Sequence, residues 1–214
     1  MSKKVQRNPR KSPTQARSIA TVEVILEATI QVLITQGITY LTCARVAERA
    51  GVSVGSIYQY FPNKQALLIA VLNRHLDHVA DVIEAVCEEQ RGKSLDSIGL
   101  AVTSAFVAVK MLRPEVSRAL YGLPSDEVTD SIVARTTGRS QLAISKLLST
   151  CADARFNELG LVTSIFTGSL IGPVQLMVTG AIPIERVETF THHLTQLSIG
   201  YLRQVSTPYS SGTE

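Results

Sequence analysis

The stretch TCARVAERAGVSVGSIYQYF, residues 42–61, decides the fold. Thr42 and Ser53 stand where the N-cap of a helix is expected, and Gly51 separates the two predicted helices with a residue that can close a tight turn. Small and apolar residues at helical spacing can form the seam between the helices: Val46, Ala47, Ala50, Val52, Ile57 and Tyr60. The spacing predicts a helix over 43–50 and another, capped by Ser53, that runs to about residue 60, which is the helix-turn-helix pattern.

The same pattern leaves a polar face exposed. At or near the start of the second helix lie residues whose side chains can enter the major groove of DNA: Ser53, Val54, Gly55, Ser56 and Gln59. Thr42, Tyr58 and Lys64 offer hydroxyl, phenol and ammonium groups suited to phosphate oxygens, and Arg45 and Tyr60 complete the predicted DNA contacts. Helix-turn-helix folds also serve protein contacts, so the spacing alone leaves both kinds of partner open.

Outward from this stretch the sequence reads as helix. A first helix is predicted over 14–35 and ends where Gly37 can close it, and Asn63 caps a long fourth helix that reaches toward residue 88. Breaks at 92–94, 113–114, 123–125, 157 and 182–183 divide residues 94–205 into about five more helices. Strand-like alternation is scarce, so the predicted fold class is all-α, with an N-terminal three-helix headpiece and a larger C-terminal helical domain.

Four parts are predicted along the chain: a flexible basic arm over 1–15, a DNA-binding domain over 16–64, a helical domain over 65–205 and a disordered tail over 206–214. The basic residues of the arm are Lys3, Lys4, Arg7, Arg10 and Lys11. The first 64 residues hold nine basic and three acidic side chains, a net charge of +6, whereas the remainder carries −3. A basic end on a mildly acidic body favours a polyanionic partner, either nucleic acid or an anionic membrane surface.

The chain resembles the TetR/AcrR family of repressors over about residues 16–72. The residues that carry the resemblance are Thr42, Val46, Ala47, Ala50, Gly51, Val52, Ser53, Gly55, Ser56, Ile57, Tyr58, Tyr60, Phe61, Asn63, Lys64 and Leu67. The resemblance implies that Thr42, Tyr58 and Lys64 contact phosphates, and that Val54, Gly55, Ser56 and Gln59 face the groove. Val54 departs from the polar or basic residue of many relatives, and its methyl groups suit contact with a thymine methyl.

The resemblance also implies a homodimer that binds a palindromic operator and releases it when a small-molecule effector binds the second domain. Two identical headpieces on a two-fold axis suit an inverted DNA repeat. TetR-like proteins dimerise through their last two long helices, here about 158–180 and 184–204. Phe106, Met111 and Tyr121 are the candidate effector contacts, although such residues at helical spacing are typical of an ordinary core.

Residues 159–184 contain no charged residue and are long enough to span a bilayer. Several hydroxyl side chains, glycines and an interior Pro173 make this segment less apolar than a typical span. We interpret it as a helix that packs on its own domain with one face and on a second subunit with another, and no membrane partner is predicted. The alternative is a helical module that binds a membrane surface, with this segment as its anchor.

A helical metalloprotein is a further alternative, because His75 and His78 are three residues apart with Asp77 and Asp81 near them. Cysteines are odd in number and widely spaced, which indicates neither a disulfide framework nor a zinc cluster: Cys43, Cys87 and Cys151. The sequence has no Gly-rich phosphate loop, zinc-protease helix or nucleophile elbow. It therefore predicts a cytoplasmic DNA-binding regulator that is not an enzyme and needs no cofactor or metal.

Overall fold

The computed structural model describes residues 16–123 and 125–208. Over these residues it contains nine α-helices: α1 Ala16–Gln36, α2 Cys43–Ala50, α3 Val54–Tyr60, α4 Lys64–Glu89, α5 Leu95–Met111, α6 Pro114–Tyr121, α7 Glu127–Ser149, α8 Leu159–Val178 and α9 Val187–Val205. Short 3-10 turns at Ile38–Tyr40 and Ile184–Arg186 precede α2 and α9. The prediction of an all-α fold class is confirmed, and the predicted basic arm, residues 1–15, lies outside the described residues.

Side-chain caps explain where three of the first helices begin. The Thr42 hydroxyl accepts a hydrogen bond from the backbone N–H three residues along, at 3.2 Å, and Ser53 Oγ does the same at 3.0 Å. The side-chain oxygen of Asn63 accepts the equivalent bond at the start of α4, at 2.9 Å. Each bond satisfies an N–H group that a helix N-terminus leaves without an intrahelical partner. The three caps predicted from the sequence are therefore present.

The first of two packing units consists of the described residues up to Leu76 together with Glu115–Ile132. Its core comes from α1, α2, α3, the first part of α4 and α6: Ile25, Leu33, Val46, Ile57, Phe61, Leu67, Val71, Val116 and Leu120. The predicted domain boundary after residue 64 falls inside this unit, because α4 contributes Leu67 and Val71 to its core. The helix-turn-helix is thus built on a hydrophobic core that extends beyond the motif.

The second unit consists of Asp77–Pro114 and the described residues from Val133 onward. Its central helices are α5, α8 and α9, whose buried side chains include Ile98, Val102, Phe166, Leu170, Leu194 and Leu202. Arg203 near the end of α9 donates from Nε to a carboxylate oxygen of Asp96 in the first turn of α5, at 3.0 Å. The end of one helix therefore meets the start of the other, so α5 and α9 run antiparallel.

An ion-pair cluster joins α4 to α7 inside the second unit. Asp77, Asp81 and Glu84 lie about one turn apart on α4. The Arg139 guanidinium on α7 contacts all three carboxylates, at 3.1, 2.6 and 2.7 Å, and Arg135 contacts Asp77 at 2.8 Å. Hydrogen bonds from Glu84 and Asp81 raise the pKa of Arg139 above its ordinary value. The cluster links α4 to α7 through several shared ion pairs. A single exposed ion pair would contribute little to stability.

The last described residues pair with an earlier segment of the chain. Thr207–Pro208 forms a two-residue strand, β2, that pairs antiparallel with β1, Ala154–Arg155. This pairing joins the start of the predicted tail, residues 206–214, to a segment some 50 residues earlier in the chain. Residues 209–214 lie outside the described part of the chain.

Candidate nucleic-acid interface

The turn between α2 and α3 sets the direction in which α3 presents its outer face. Gly51 adopts a φ of 66°, in the left-handed region, and its N–H donates to the carbonyls of Ala47 and Glu48 at the end of α2. The N–H of Val52 donates to the carbonyl of Ala47 at 3.0 Å and closes the turn. Other residues are strained in this conformation, so the predicted role of Gly51 in the turn is confirmed.

The third helix buries one side and exposes the other. Ile57 is fully buried against the first unit's core, whereas Val54 is 40% exposed and Gly55 and Gln59 are exposed. The exposed side has no charge; it offers one amide that can both donate and accept, the methyl groups of a valine, and an uncovered stretch of backbone. These are the groups that read base edges and thymine methyls in the major groove.

Two serines define the start of α3. Ser53 caps the helix, and its hydroxyl also lies 2.8 Å from the hydroxyl of Ser56, with which it shares a hydrogen bond. A Cβ added to Gly55 would meet only Ser53 Oγ, at 3.6 Å, which is an ordinary van der Waals distance. The fold therefore does not require glycine at position 55, and the bare backbone there is free to serve a partner.

Several of the predicted DNA contacts lie at or near the N-terminus of α2. Thr42 and Arg45 are both exposed in the first turn of the helix. Tyr58 of α3 is 45% exposed and contacts the Cys43 side chain, whose sulfur raises the pKa of the phenol. A phenol at neutral pH can donate a hydrogen bond. Burial raises the pKa of the Cys43 thiol, which fits a packing residue.

Lys64 stands at the other end of α3, as the first residue of α4. It is half-buried, and the neighbouring Asn63 caps the same helix end. A cation next to the N–H groups of a helix N-terminus suits a phosphate oxygen. Exposed polar or basic side chains thus precede α3 in the chain, at Thr42 and Arg45, and a half-buried lysine, Lys64, follows it.

Tyr60 differs from the other predicted DNA contacts. It packs against the core of the first unit, and its hydroxyl lies 3.0 Å from the hydroxyl of Ser18 in α1. The sequence placed Tyr60 both in the seam and among the DNA contacts, but a residue three positions after the buried Ile57 lies on the inner side of the helix. Tyr60 is half-buried, and its contact with DNA stays a prediction.

Two residues outside the predicted set lie near the same surface. Tyr40 is a highly exposed aromatic residue directly before the motif. Arg49, one turn after Arg45 on α2, donates from Nε to the side-chain oxygen of Gln31 at 2.6 Å. Motif spacing does not reveal either residue, since Tyr40 precedes the motif and Arg49 resembles any surface charge. The signal for Tyr40 was an aromatic residue in a connection expected to be polar.

The histidine alternative does not produce a metal site within residues 16–123 and 125–208: no three of His, Cys, Asp and Glu gather there at metal-binding distance. His75 Nε2 lies 3.1 Å from the hydroxyl of Ser117. Asp77 and Asp81 instead bind Arg139 in the ion-pair cluster. The acidic residues that suggested metal binding thus have a different partner.

The candidate effector contacts do not come together in one unit. Phe106 and Met111 are partly buried against the core of the second unit, whereas Tyr121 belongs to the first. A groove of about 810 Å³ lies between α5 and α9, and none of these three residues lines it. Its lining mixes apolar and polar side chains, among them Leu100, Ser104, Val107, Glu188, His192 and Ile199.

The uncharged helix α8 has two distinct faces. One face is buried against α5 and α9, with Val162, Phe166, Leu170 and Val174 in the core. On the exposed side, apolar residues and glycines lie at helical spacing, beside the exposed Ser164 and Gln175: Leu161, Ile165, Gly168, Gly172 and Leu176. Leu197 and Gly200 are also exposed on α9, and we refer to these seven residues as the α8–α9 face. Exposed apolar patches often mark interaction surfaces.

Two helices have the length and hydropathy of a membrane span, Ser18–Gln36 and Leu159–Val178. A third candidate arises if α5 and α6, which are separated by a bend, are counted together as one span. In the first, Ile25 and Leu33 form part of the hydrophobic core around the helix-turn-helix. In the second, half of the helix packs on α5 and α9. The hydropathy of both helices thus has an explanation in packing.

Known proteins match the region described above. Residues 25–71 fit the family model described as "Bacterial regulatory proteins, tetR family", from α1 into α4. The HTH-type transcriptional repressor KstR of Mycolicibacterium smegmatis is 40% identical over 55 residues, which cover 26% of this chain and 27% of KstR. The chain spans between about a quarter and a third of the length of the curated relatives that it matches.

Solved structures resemble nearly the whole chain. The fatty acid degradation regulator FadR of Bacillus halodurans has a TM-score of 0.68 at 18% identity, covering 91% of this chain and 99% of that one. SmeT, the repressor of the Stenotrophomonas maltophilia multidrug efflux pump SmeDEF, has a TM-score of 0.67 at 14% identity as its triclosan complex, covering 91% and 98%. At these identities the likeness establishes the shared fold.

Proposed function

We propose, from the premise that the chain carries a TetR-family helix-turn-helix domain, that it is a transcriptional repressor, not an enzyme, that acts in the cytoplasm. It binds a palindromic operator as a homodimer, and a small molecule bound to the second unit releases it. The proposed domains are a basic arm over 1–15, a DNA-binding region from residue 16 to 64, and a regulatory and dimerisation region up to 205.

The exposed face of α3 is the observation that carries this proposal. Val54, Gly55 and Gln59 form an uncharged surface suited to base edges. The groups proposed to bind phosphate are Thr42 and Arg45 before this surface in the chain, Tyr58 on α3 itself, and Lys64 after it. Phosphate contacts position a protein on the duplex, and base contacts give it sequence preference. Ser53 and Ser56 complete the reading face at the helix start.

Dimerisation is proposed through the α8–α9 face, within about 158–180 and 184–204. Ile165 is 45% exposed and Leu197 is 56% exposed, although both are large and apolar. Gly168 and Gly172 have open space where a Cβ would stand, so a second helix can approach the backbone closely. A second copy of the same face supplies a matching uncharged surface around a two-fold axis.

Effector binding is proposed for the second unit, which FadR and SmeT share in fold. SmeT forms a complex with triclosan, so a protein of this fold holds a small molecule. For release, the effector must bind the form that leaves DNA more tightly than the form that holds it. The groove between α5 and α9 offers one place to look, and Phe106 and Met111 offer another.

Selection of bound duplexes from a random pool, with the purified full chain, tests the proposal. We expect inverted repeats whose half-site centres lie about one helical turn of DNA, or a multiple of it, apart. Repeating the selection with candidate effectors identifies the compound that reduces recovery. Equal recovery of all sequences would contradict the operator, and no retention of any duplex at low salt would contradict DNA binding itself.

Three variants separate positioning from reading on the selected duplex. Gln59→Ala and Val54→Ala should each change the preferred bases, at about 1–3 kcal/mol for each lost base contact. Lys64→Ala should weaken all sequences alike and reduce the salt dependence. Lys146→Ala, an exposed lysine of α7, is the matched control and should leave binding unchanged. Unchanged binding in the first three variants would refute the assigned face.

A further inference from the structure

Tyr40 has an unusual position for an aromatic residue. It ends the 3-10 turn Ile38–Tyr40, two residues before the Thr42 cap of α2, and its side chain is 57% exposed. Tyr40 is not among the DNA contacts predicted from the sequence. Because the ring is exposed, core packing does not account for an aromatic residue at this position. We therefore consider the side chains that it contacts at the surface.

Those neighbours include the Arg45 side chain, which makes two contacts with Tyr40. The guanidinium carbon lies 5.3 Å from the centre of the Tyr40 ring, within the range of a cation–π interaction. Arg45 Nη1 also donates a hydrogen bond to the backbone carbonyl of Tyr40, at 3.0 Å. The exposed arginine side chain thus folds back toward the N-terminus of its own helix.

This arrangement places a cation where a polyanion would bind. Thr42 caps the same helix end, and the Tyr58 side chain contacts Cys43, one residue further along α2. A guanidinium carries five N–H donors, so the single bond to the Tyr40 carbonyl leaves others for a phosphate. Holding Arg45 in one conformation before DNA arrives lowers the entropy lost on binding.

We infer that Tyr40 is a positioning residue for DNA binding: its ring and backbone carbonyl hold the Arg45 guanidinium at the N-terminus of α2, so that this guanidinium meets a backbone phosphate of the operator. The inference rests on the proposed function and adds a residue to it. The ring, not the phenol hydroxyl, is the active part. The contact is independent of DNA sequence, because phosphates are the same everywhere.

A double-mutant cycle tests the inference. Wild type, Tyr40→Ala, Arg45→Ala and the double variant are titrated with a labelled duplex of about two helical turns, at several salt concentrations. Arg45→Ala should reduce the slope of log affinity against log salt by about one for each protomer bound to DNA, since each protomer loses one phosphate contact. Tyr40→Ala should weaken binding about twofold to fivefold for each protomer bound to DNA, which corresponds to the free energy of an exposed cation–π contact. In the Arg45→Ala background it should have no further effect.

Tyr40→Phe is the matched control, because it keeps the ring and the carbonyl and removes only the hydroxyl. It should bind as wild type, and a loss equal to that of Tyr40→Ala would overturn the inference in favour of a direct hydroxyl contact. Additive losses in the cycle would also overturn it, since they show that Tyr40 acts without Arg45. A wild-type chain that retains no duplex would instead defeat the proposed function, and the positioning role with it.

Discussion

The exposed faces of α3 and α8 invite comparison, because both helices lack charged residues altogether. On α3 the exposed residues are small or polar, and Arg45 and Lys64 stand on the neighbouring helices α2 and α4. On α8 the exposed residues include three large apolar side chains and several glycines, and the neighbouring α9 adds Leu197 and Gly200. An uncharged helix face thus indicates different partners according to what surrounds it: cations around α3 favour a polyanion, and apolar residues around α8 favour a second apolar face.

The largest expected effect comes from placing a charge on the α8–α9 face. In Ile165→Lys the dimer would have to bury an unpaired ammonium, which is costly, so the variant should be monomeric in sedimentation. Operator affinity should then fall about 100-fold or more, since the second headpiece no longer benefits from effective concentration. A dimeric Ile165→Lys variant would show that α8 does not bind a second copy.

Leu142→Lys is the matched control for that charge. Leu142 is 58% exposed on α7, outside the α8–α9 face. The same substitution there should leave both the mass and the operator affinity unchanged. Monomeric behaviour in both variants would attribute the loss to added charge in general and remove the distinction between the faces.

A smaller effect is expected at the turns that precede α3 and α5. Gly51 and Gly92 have φ values of 66° and 70°, and at neither would an added Cβ meet another atom within 4 Å. Alanine at either position should lower the free energy of unfolding by about 1–2 kcal/mol, because of the left-handed backbone alone. Urea titration measures that loss. Only Gly51→Ala should also weaken operator binding, and equal weakening by Gly92→Ala would show that the direction of α3 is not the cause.

The local signals in the sequence were sufficient for α2 and α3, because caps and a turn glycine act over three or four residues. They were insufficient where distant segments decide the structure. The first unit takes in residues of α4 and α6 beyond the predicted boundary, since Leu67 and Val116 share its core. The backbone of Thr207 pairs with that of Arg155, which lies far away in the sequence. The hydroxyl of Tyr60 contacts that of Ser18, which lies 42 residues away.

The caps of α3 and α5 give the next comparison. Ser53 accepts from the N–H of Ser56 at 3.0 Å, and Ser94 accepts from that of Ser97 at 3.4 Å. Loss of either cap should reduce stability by about 1 kcal/mol, with the smaller loss at Ser94 because its bond is longer. Ser53→Ala should also alter the operator preference, since Ser56 loses its hydroxyl partner. A Ser53→Ala variant with reduced stability and an unchanged preference would confine Ser53 to capping.

The smallest expected changes concern three helical glycines beside which an added Cβ has room. Stability and binding are expected to change in opposite directions at two of them. Gly55 of α3, Gly168 of α8 and Gly138 of α7 have no atom close enough to oppose a methyl group. Alanine stabilises a helix relative to glycine, so each substitution should raise the free energy of unfolding by up to about 1 kcal/mol. If bare backbone serves a partner, Gly55→Ala should nevertheless weaken operator binding, and Gly168→Ala should weaken the dimer.

Gly138→Ala supplies the reference for these opposed effects, since its helix belongs to neither face. It should gain stability without loss of either interaction, as measured by urea titration, sedimentation and duplex binding on the same samples. If Gly55→Ala and Gly168→Ala behave like Gly138→Ala, the two glycines have no role in contact, and the faces are distinguished by their larger side chains alone. If each loses only its own partner, close backbone approach is a feature that the DNA-facing and subunit-facing helices share.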